Sequence, residues 1–268
     1  METTKIENRF FQVDAFTDKP FQGNPTGVCI LQKPAEGNFL NILAAEFGLN
    51  QTAFLVKQPT GYTIRFFTKF AEVSLCAHAA IAAAHVLHFI NDATTPESVL
   101  FKTAKNDILV TTENGYYKVI FPEYQVLPTE ITPDFVEITG LNPLELYKCS
   151  HDWYLAYFKD HEDVRRALPH FVKMRHSDYG HLVITTQGQK GEADYIQRSF
   201  TPNHGINEED VSGPAQCALT AFWKERLHRN EFTSLQASQR GGYVKTRSVS
   251  GKMVEIMGKA VIVMEGKF

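Results

Sequence analysis

The chain has 268 residues, 43% of them hydrophobic and 21% charged, with a net charge of −3 at pH 7. That is the composition of a globular protein with room for one large domain or two ordinary ones, and it excludes a disordered or fibrous chain. The slightly acidic balance gives no reason to expect a nucleic acid or an anionic membrane as partner. No apolar run reaches the roughly 18 residues of a membrane-spanning helix. The N-terminal METTKIENRFFQVDAF lacks the apolar core of a signal peptide, so a cytoplasmic location is expected. Cys29, Cys76, Cys149 and Cys217 stand singly, without a C-x-x-C pair or zinc-ligand spacing, and no metal site is expected.

Phe10–Phe16 alternates and is rich in aromatic residues, which predicts a strand. Thr17–Asn24 is turn chemistry, with Gly23, Asn24 and Pro25 setting a fixed bend, and Thr26–Leu31 resumes a strand. Helical spacing over Phe39–Phe47 stops at Gly48. Thr52–Lys57 and Tyr62–Phe67 read as strands on either side of a Gln58–Gly61 turn. A helix then opens at about Ser74–Cys76. From Ala77 onward nearly every residue is small or apolar until His85 and His88, which read as packing or helix-surface residues. A surface helix carries a polar stripe, so this one is expected to be wrapped on all sides. Its first turn, with Cys76 and His78, presents backbone N–H groups that lack intrahelical partners and attract anions such as a carboxylate. Three short strands fill 98–121, with a hairpin at Asn114-Gly115.

Residues 122–134 carry three prolines and read as a linker, which divides the chain into domains 1–124 and 125–268. The last strand is a candidate to return to the first domain. In the second half, Pro133–Thr139 predicts a short helix, and Glu162–Leu168 and Phe171–Arg175 read as helical or turn pieces. Trp153–Phe158, His181–Thr186 and Ala193–Phe200 predict strands. Gly213–Leu227 forms a second helix that opens on small residues. Leu235–Ser238, Tyr243–Ser248, Met253–Met257 and Ala260–Glu265 are the closing strands. Each half thus sets short strands around one alanine-rich helix. The expected class is α+β: two similar domains, each a curled sheet or half-barrel around a central helix, with an active-site cleft between them.

Several motifs fall into one register. Val13-Asp14-Ala15-Phe16 with Gly23-Asn24-Pro25, then Ala45–Phe54, Phe67–Ala79, Arg198–Pro202 through Gly213, and Ala237–Gly242 run in order across 13–242. This pattern resembles that of the PhzF-like proteins, the phenazine-biosynthesis isomerase family. The resemblance implies the fold of diaminopimelate epimerase, a homodimer, and no metal or organic cofactor. It also implies a biosynthetic isomerase in which a glutamate shuttles a proton on a small cyclic carboxylic acid. That glutamate corresponds to Glu46, and the family's histidine to His78. In the second domain Glu209 stands at the family's aspartate, Asp210 at a proline and Pro214 at a serine. Ala77 replaces a glycine and Lys69 a proline of the first-domain motif.

Proton transfer at carbon needs a carboxyl or imidazole whose pKa lies near neutrality. Glu46 stands among apolar neighbours, Ile42–Phe47, where burial would raise its pKa; an ion-paired helix-end glutamate is the alternative. His78, beside the positive end of the helix dipole, would stay neutral and could bond a carboxylate or relay a proton; a core histidine is the alternative. Glu208, Glu209 and Asp210 either complement the dipole of the following helix, with Ser212 as its cap, or place a second carboxyl in the site. Asn24, Cys76, Ala77, Ser212, Gly213, Gly241 and Gly242 are candidates to bind the acid group, although turn formation explains Asn24 and the last two glycines equally well. Three functions follow. The first is a cofactor-independent isomerase of a small carboxylate, with Glu46, His78, Glu209 and Asp210 as the catalytic set. The second is a non-catalytic small-molecule binder on the same fold. The third is a cysteine-based epimerase or racemase using Cys76, for which Cys217 lies too deep in its helix to be the partner thiol.

Overall fold

The computed structural model describes residues 7–74, 76–93, 95 and 97–268. The N-terminal METTKI and Leu75, which sits inside the expected helix opening, lie outside that set. The chain forms two units: one ends at Val119 and regains Met257–Phe268, and the other is Ile120–Ile256.

Alternating side chains build the first unit. β1 (Arg9–Ala15) and β2 (Asn24–Leu31) are antiparallel, α1 (Gly37–Phe47) follows, and β3 (Gln51–Lys57) then lies parallel to β2. β4 (Tyr62–Phe67) returns antiparallel to β3 and carries the two-residue β5 (Glu72–Val73) at its end. After α2 (Ala77–Phe89) come β6 (Ser98–Lys102), parallel to β4, then β7 (Ile108–Glu113) and β8 (Tyr116–Pro122), which make a hairpin at Asn114-Gly115. Both turn residues have positive φ, as a two-residue hairpin requires. β17 (Ala260–Lys267), the last strand of the chain, pairs antiparallel with β1.

β2 shows how this sheet serves two layers. Cys29 and Leu31 pack with Phe54 and Phe67 against Leu40 and Ala44 of α1. The alternate residues Asn24, Thr26 and Val28 point to the other face, and there Asn24 meets His78 of α2. α2 packs against β1, β2, β3, β6, β7 and β17, so the sheet curls around it. Ala77 through Ala84, Val86 and Leu87 are all buried, as the missing polar stripe predicts.

The second unit repeats the pattern. β9 (Val126–Thr129), β10 (Glu145–Cys149) and β11 (Tyr154–Tyr157) are successively antiparallel, and α3 (Pro133–Thr139) falls between the first two. β12 (Leu182–Gln187) is parallel to β11 and follows the short α4 (His161–Arg165) and α5 (Phe171–Met174). β13 (Tyr195–Phe200) is antiparallel to β12; β14 (Glu231–Gln236), after α6 (Gly213–Leu227), is parallel to β13; and β15 (Gly242–Val249) closes antiparallel. The alternation of parallel and antiparallel pairs is therefore that of β17-β1-β2-β3-β4-β6-β7, with α6 in the place of α2. Ala215, Ala218, Leu219, Phe222 and Trp223 of α6 pack on Leu155, Val183, Tyr195 and Phe232 of the surrounding strands. β16 (Met253–Gly258) leads back to the first unit.

Some expectations need correction. The proline-rich 122–134 is not a linker, because Val126–Thr129 is strand β9, with Pro128 opposite Tyr147 of β10. The bend before β2 ends at Gly23, and Asn24 and Pro25 belong to the strand, in register with Ala15 and Asp14. β10 was not expected: its Glu145 and Lys148 disguise a strand whose Leu146 and Cys149 are buried. β14 begins at Glu231 rather than Leu235, because Phe232 already points inward.

Ala82 is fully buried within the wrapped helix. Adding three carbons there forces side chains or strands apart, at a cost of about 1–3 kcal/mol. Ala82→Leu is expected to lower the urea midpoint accordingly, whereas Ile42→Leu on the exposed face of α1 leaves it unchanged. An Ala82→Leu protein as stable as wild type would mean that α2 is loosely packed.

Candidate functional site

In the first unit, polar groups gather at the N-terminal end of α2. Cys76 is the N-cap residue, in extended conformation, and its sulfur accepts from Ala79 N at 3.4 Å. His78, 4% exposed, sits in the first turn. Its Nδ1 lies 3.5 Å from Asn24 Nδ2, and its Nε2 lies 3.3 Å from Cys76 Sγ. An amide nitrogen can only donate, so Nδ1 accepts and Nε2 carries the proton, directed at sulfur. Burial pushes the imidazole pKa down to about 4, so the ring is neutral at pH 7. The loop before β2 delivers Asn24. The Asp14 carboxylate accepts from Phe21 N at 2.6 Å within that loop. Gly23 closes the loop with φ +68°, where a Cβ would stand 2.2 Å from Ala15 O, so only glycine fits.

Sequence reasoning missed Gln51, the first residue of β3. Its register with Thr26 puts its side chain on the face of the sheet that carries Asn24, the α2 side. Its amide oxygen is buried and has no hydrogen-bond partner among the described residues. Buried polar atoms are nearly always bonded, so an acceptor left over on the α2 side of the sheet is suited to a ligand's donor. The only signal in the sequence was an amide opening a strand, which is too common to select.

Glu46 does not join this group. It lies on α1, which packs on the opposite face of the sheet, and its side chain is exposed. The expected burial fails because Ile42, apolar but 66% exposed, also faces solvent. Ala77 is buried in the first turn of α2, between Cys76 and His78.

In the second unit the acidic run before α6 separates into three environments. Glu208 forms a two-pronged pair with Arg198 at 2.7 and 2.8 Å, and the same guanidinium donates to the carbonyls of Val164, Arg165 and Ala167. Glu209 points elsewhere: Thr201 Oγ1 donates to its Oε1 at 3.1 Å. Burial pushes the Glu209 carboxyl up to about 7; the Thr201 bond acts against that rise and the charge of Asp210 adds to it. Asp210 offers its carbonyl to Ser238 Oγ at 2.6 Å. Ser212 is the N-cap of α6, accepting from Ala215 N, and Gly213 and Pro214 form the first turn, where proline loses no bond. The Gly241 N–H is engaged by Ser238 and Gly242 opens β15, so turn and ladder account for both glycines.

Three of the four thiols offer little. Burial raises Cys149 and Cys217 to about 12 and Cys29 further still, far from the range of an acid/base group at neutral pH. Among the described residues no group of three or more His, Cys, Asp or Glu is placed to hold a metal ion, and no helix is long and apolar enough to cross a membrane.

Residues 13–266 match the model of the phenazine biosynthesis-like proteins, PhzC–PhzF. The chain belongs to this family. A relative named an uncharacterized isomerase, from Halalkalibacterium halodurans, is 34% identical over 100% of this chain and 99% of its own. The crystal structure of a PhzF family protein from Enterococcus faecalis is similar with a TM-score of 0.91 at 30% identity, covering 98% of this chain and 99% of that one. A hydroxyproline epimerase from Agrobacterium vitis, TM-score 0.60 at 11% identity over 98% and 93% of the two chains, shares the fold alone. The family and the mixed α+β, half-barrel class expected from the sequence are thus as observed.

His78 ties this geometry to stability. Its pKa is about 4 in the folded protein against 6.5 as the ordinary value, so protons favour the unfolded chain. The contribution is complete above pH 6.5 and is lost as pH falls towards 4, on the order of 3 kcal/mol in all. His85 and His181 shift in the same direction. In His78→Asn the loss of stability between pH 7 and 4.5, followed by urea unfolding, is therefore expected to shrink without vanishing. An unchanged slope would show that His78 titrates normally in the fold.

Proposed function

We propose that the protein is a cofactor-independent isomerase that moves a proton on a small carboxylic acid. The observation that carries this reading is Glu209, a carboxyl fixed by Thr201 and raised to about 7. At pH 7 it is divided between its two protonation states, which is what a single acid/base residue needs. As carboxylate it takes a proton from one carbon; the substrate double bond shifts, and the resulting acid returns the proton to another carbon, so the protein ends as it began. Burial keeps the pKa high, and the charge of Asp210 adds to it.

Within the first unit, neutral His78, Asn24, Gln51 and Cys76 offer donors and acceptors to the polar groups of a small ligand. In the same unit as Glu209, the N–H group of Gly213 beyond the Ser212 cap suits the substrate carboxylate. The names of the relatives, isomerases among them, support the same reaction class. Glu46 has no part in the chemistry on this reading. A small carboxylate is the ligand and a homodimer is the working assembly.

The test is a panel of cyclic and β,γ-unsaturated carboxylic acids in deuterated water, followed by NMR for deuterium at carbon. Wild type and Glu46→Gln are expected to exchange at similar rates, and Glu209→Gln to be slower by about 100-fold or more. Undiminished exchange in Glu209→Gln would remove Glu209 from the chemistry. Binding without exchange in wild type would favour a non-catalytic binder.

A further inference from the structure

Gln236, fully buried at the end of β14, reaches both ends of the turn that carries Glu209. Its Oε1 accepts from Ser212 N at 2.8 Å, and its Nε2 donates to Glu209 O at 2.6 Å. Behind it, Gln197 Nε2 donates to the same Oε1, and Gln197 is itself held by Ser199 Oγ at 2.9 Å. The rest of the turn is secured from β13 and from the loop that follows β14. Glu209 N donates to Ser199 O at 2.9 Å, and Ser238 Oγ donates to Asp210 O at 2.6 Å. Just ahead of the turn, Glu208 is fixed by Arg198. A primary amide can donate on one side and accept on the other; a carboxylate cannot donate, and an aliphatic side chain does neither.

We propose that Gln236, supported by Gln197, is the positioning residue that fixes the Glu209 carboxyl, acting through the turn backbone and not on substrate. The assignment rests on the acid/base reading of Glu209, but the clasp itself has readouts independent of turnover. Gln236→Met keeps the size and removes both bonds, leaving Ser212 N and Glu209 O without them in a buried site. With the turn released, the Glu209 carboxyl reaches water. The charge that acts on it is that of Asp210, and it is not altered.

The experiment compares wild type, Gln236→Met and Gln197→Met by two NMR measurements. One is hydrogen exchange of the Ser212 amide, referenced to Leu219 within α6; the other is the titration of the Glu209 side-chain carboxyl. In Gln236→Met, Ser212 protection is expected to fall at least about 10-fold against Leu219, and the Glu209 midpoint to move down by about one unit or more. Gln197→Met, which removes only the support, gives smaller changes in the same directions and stands in if Gln236→Met does not fold. Ser212 protection and the Glu209 titration both unchanged in a folded variant would overturn the proposal. Wild type that exchanges no acid in deuterated water, while the two clasp readouts move as described, would remove the functional reading and leave the clasp standing.

Discussion

The structure depends on one unusual demand: a helix with no polar stripe must be covered on every side. α2 meets it because alanine lets strands approach closely, and six strands of the first unit do so. Once the cylinder is dry, its opening becomes a place where polar groups can be held, and the first turn brings a row of backbone donors that need partners. Cys76, His78 and Asn24 answer that need with one another. α6 repeats the arrangement with Ser212 as the cap and with Glu209 just ahead of it. The chemistry-bearing residues thus sit where the fold leaves polar space, at the opening of each wrapped helix.

Desolvation then has opposite consequences for charge bookkeeping but a single cause. Burial disfavours the charged form, so it lowers the imidazole of His78 and raises the carboxyl of Glu209. The result at pH 7 is a neutral hydrogen-bonding ring and an acid near its midpoint. Glu208, one residue earlier, meets the other fate: Arg198 keeps it in an ion pair that locks the approach to the turn. Adjacent carboxylates in the sequence therefore divide between an ion pair that holds the fold and a buried acid near its midpoint.

Much of this was legible in the residues. The alanine run announced a wrapped helix, Asn114-Gly115 a hairpin, Gly48 a helix end, and the order of motifs the family. What failed did so for physical reasons. The prolines of 122–134 suggested a linker, yet one ends β8, one sits within the short β9 and one opens α3, where proline is tolerated. Glu46 looked buried because its neighbours in the chain are apolar, yet α1 lies on one face of a sheet and leaves its other side to water, and Ile42 and Glu46 share that side. Gln51 and Gln236 were invisible, since the worth of an amide depends on partners that lie 25 and 24 residues away along the chain, Thr26 in register and Ser212 in contact.

The most direct measurement of the central claim, that the opening of the wrapped helix holds a neutral and oriented imidazole, is 15N NMR of labelled histidine in the folded protein. The account predicts that His78 at pH 7 carries its proton on Nε2, has an unprotonated Nδ1, and remains neutral until the pH approaches about 4. A ring that titrates near the ordinary 6.5, or that carries its proton on Nδ1, would contradict it.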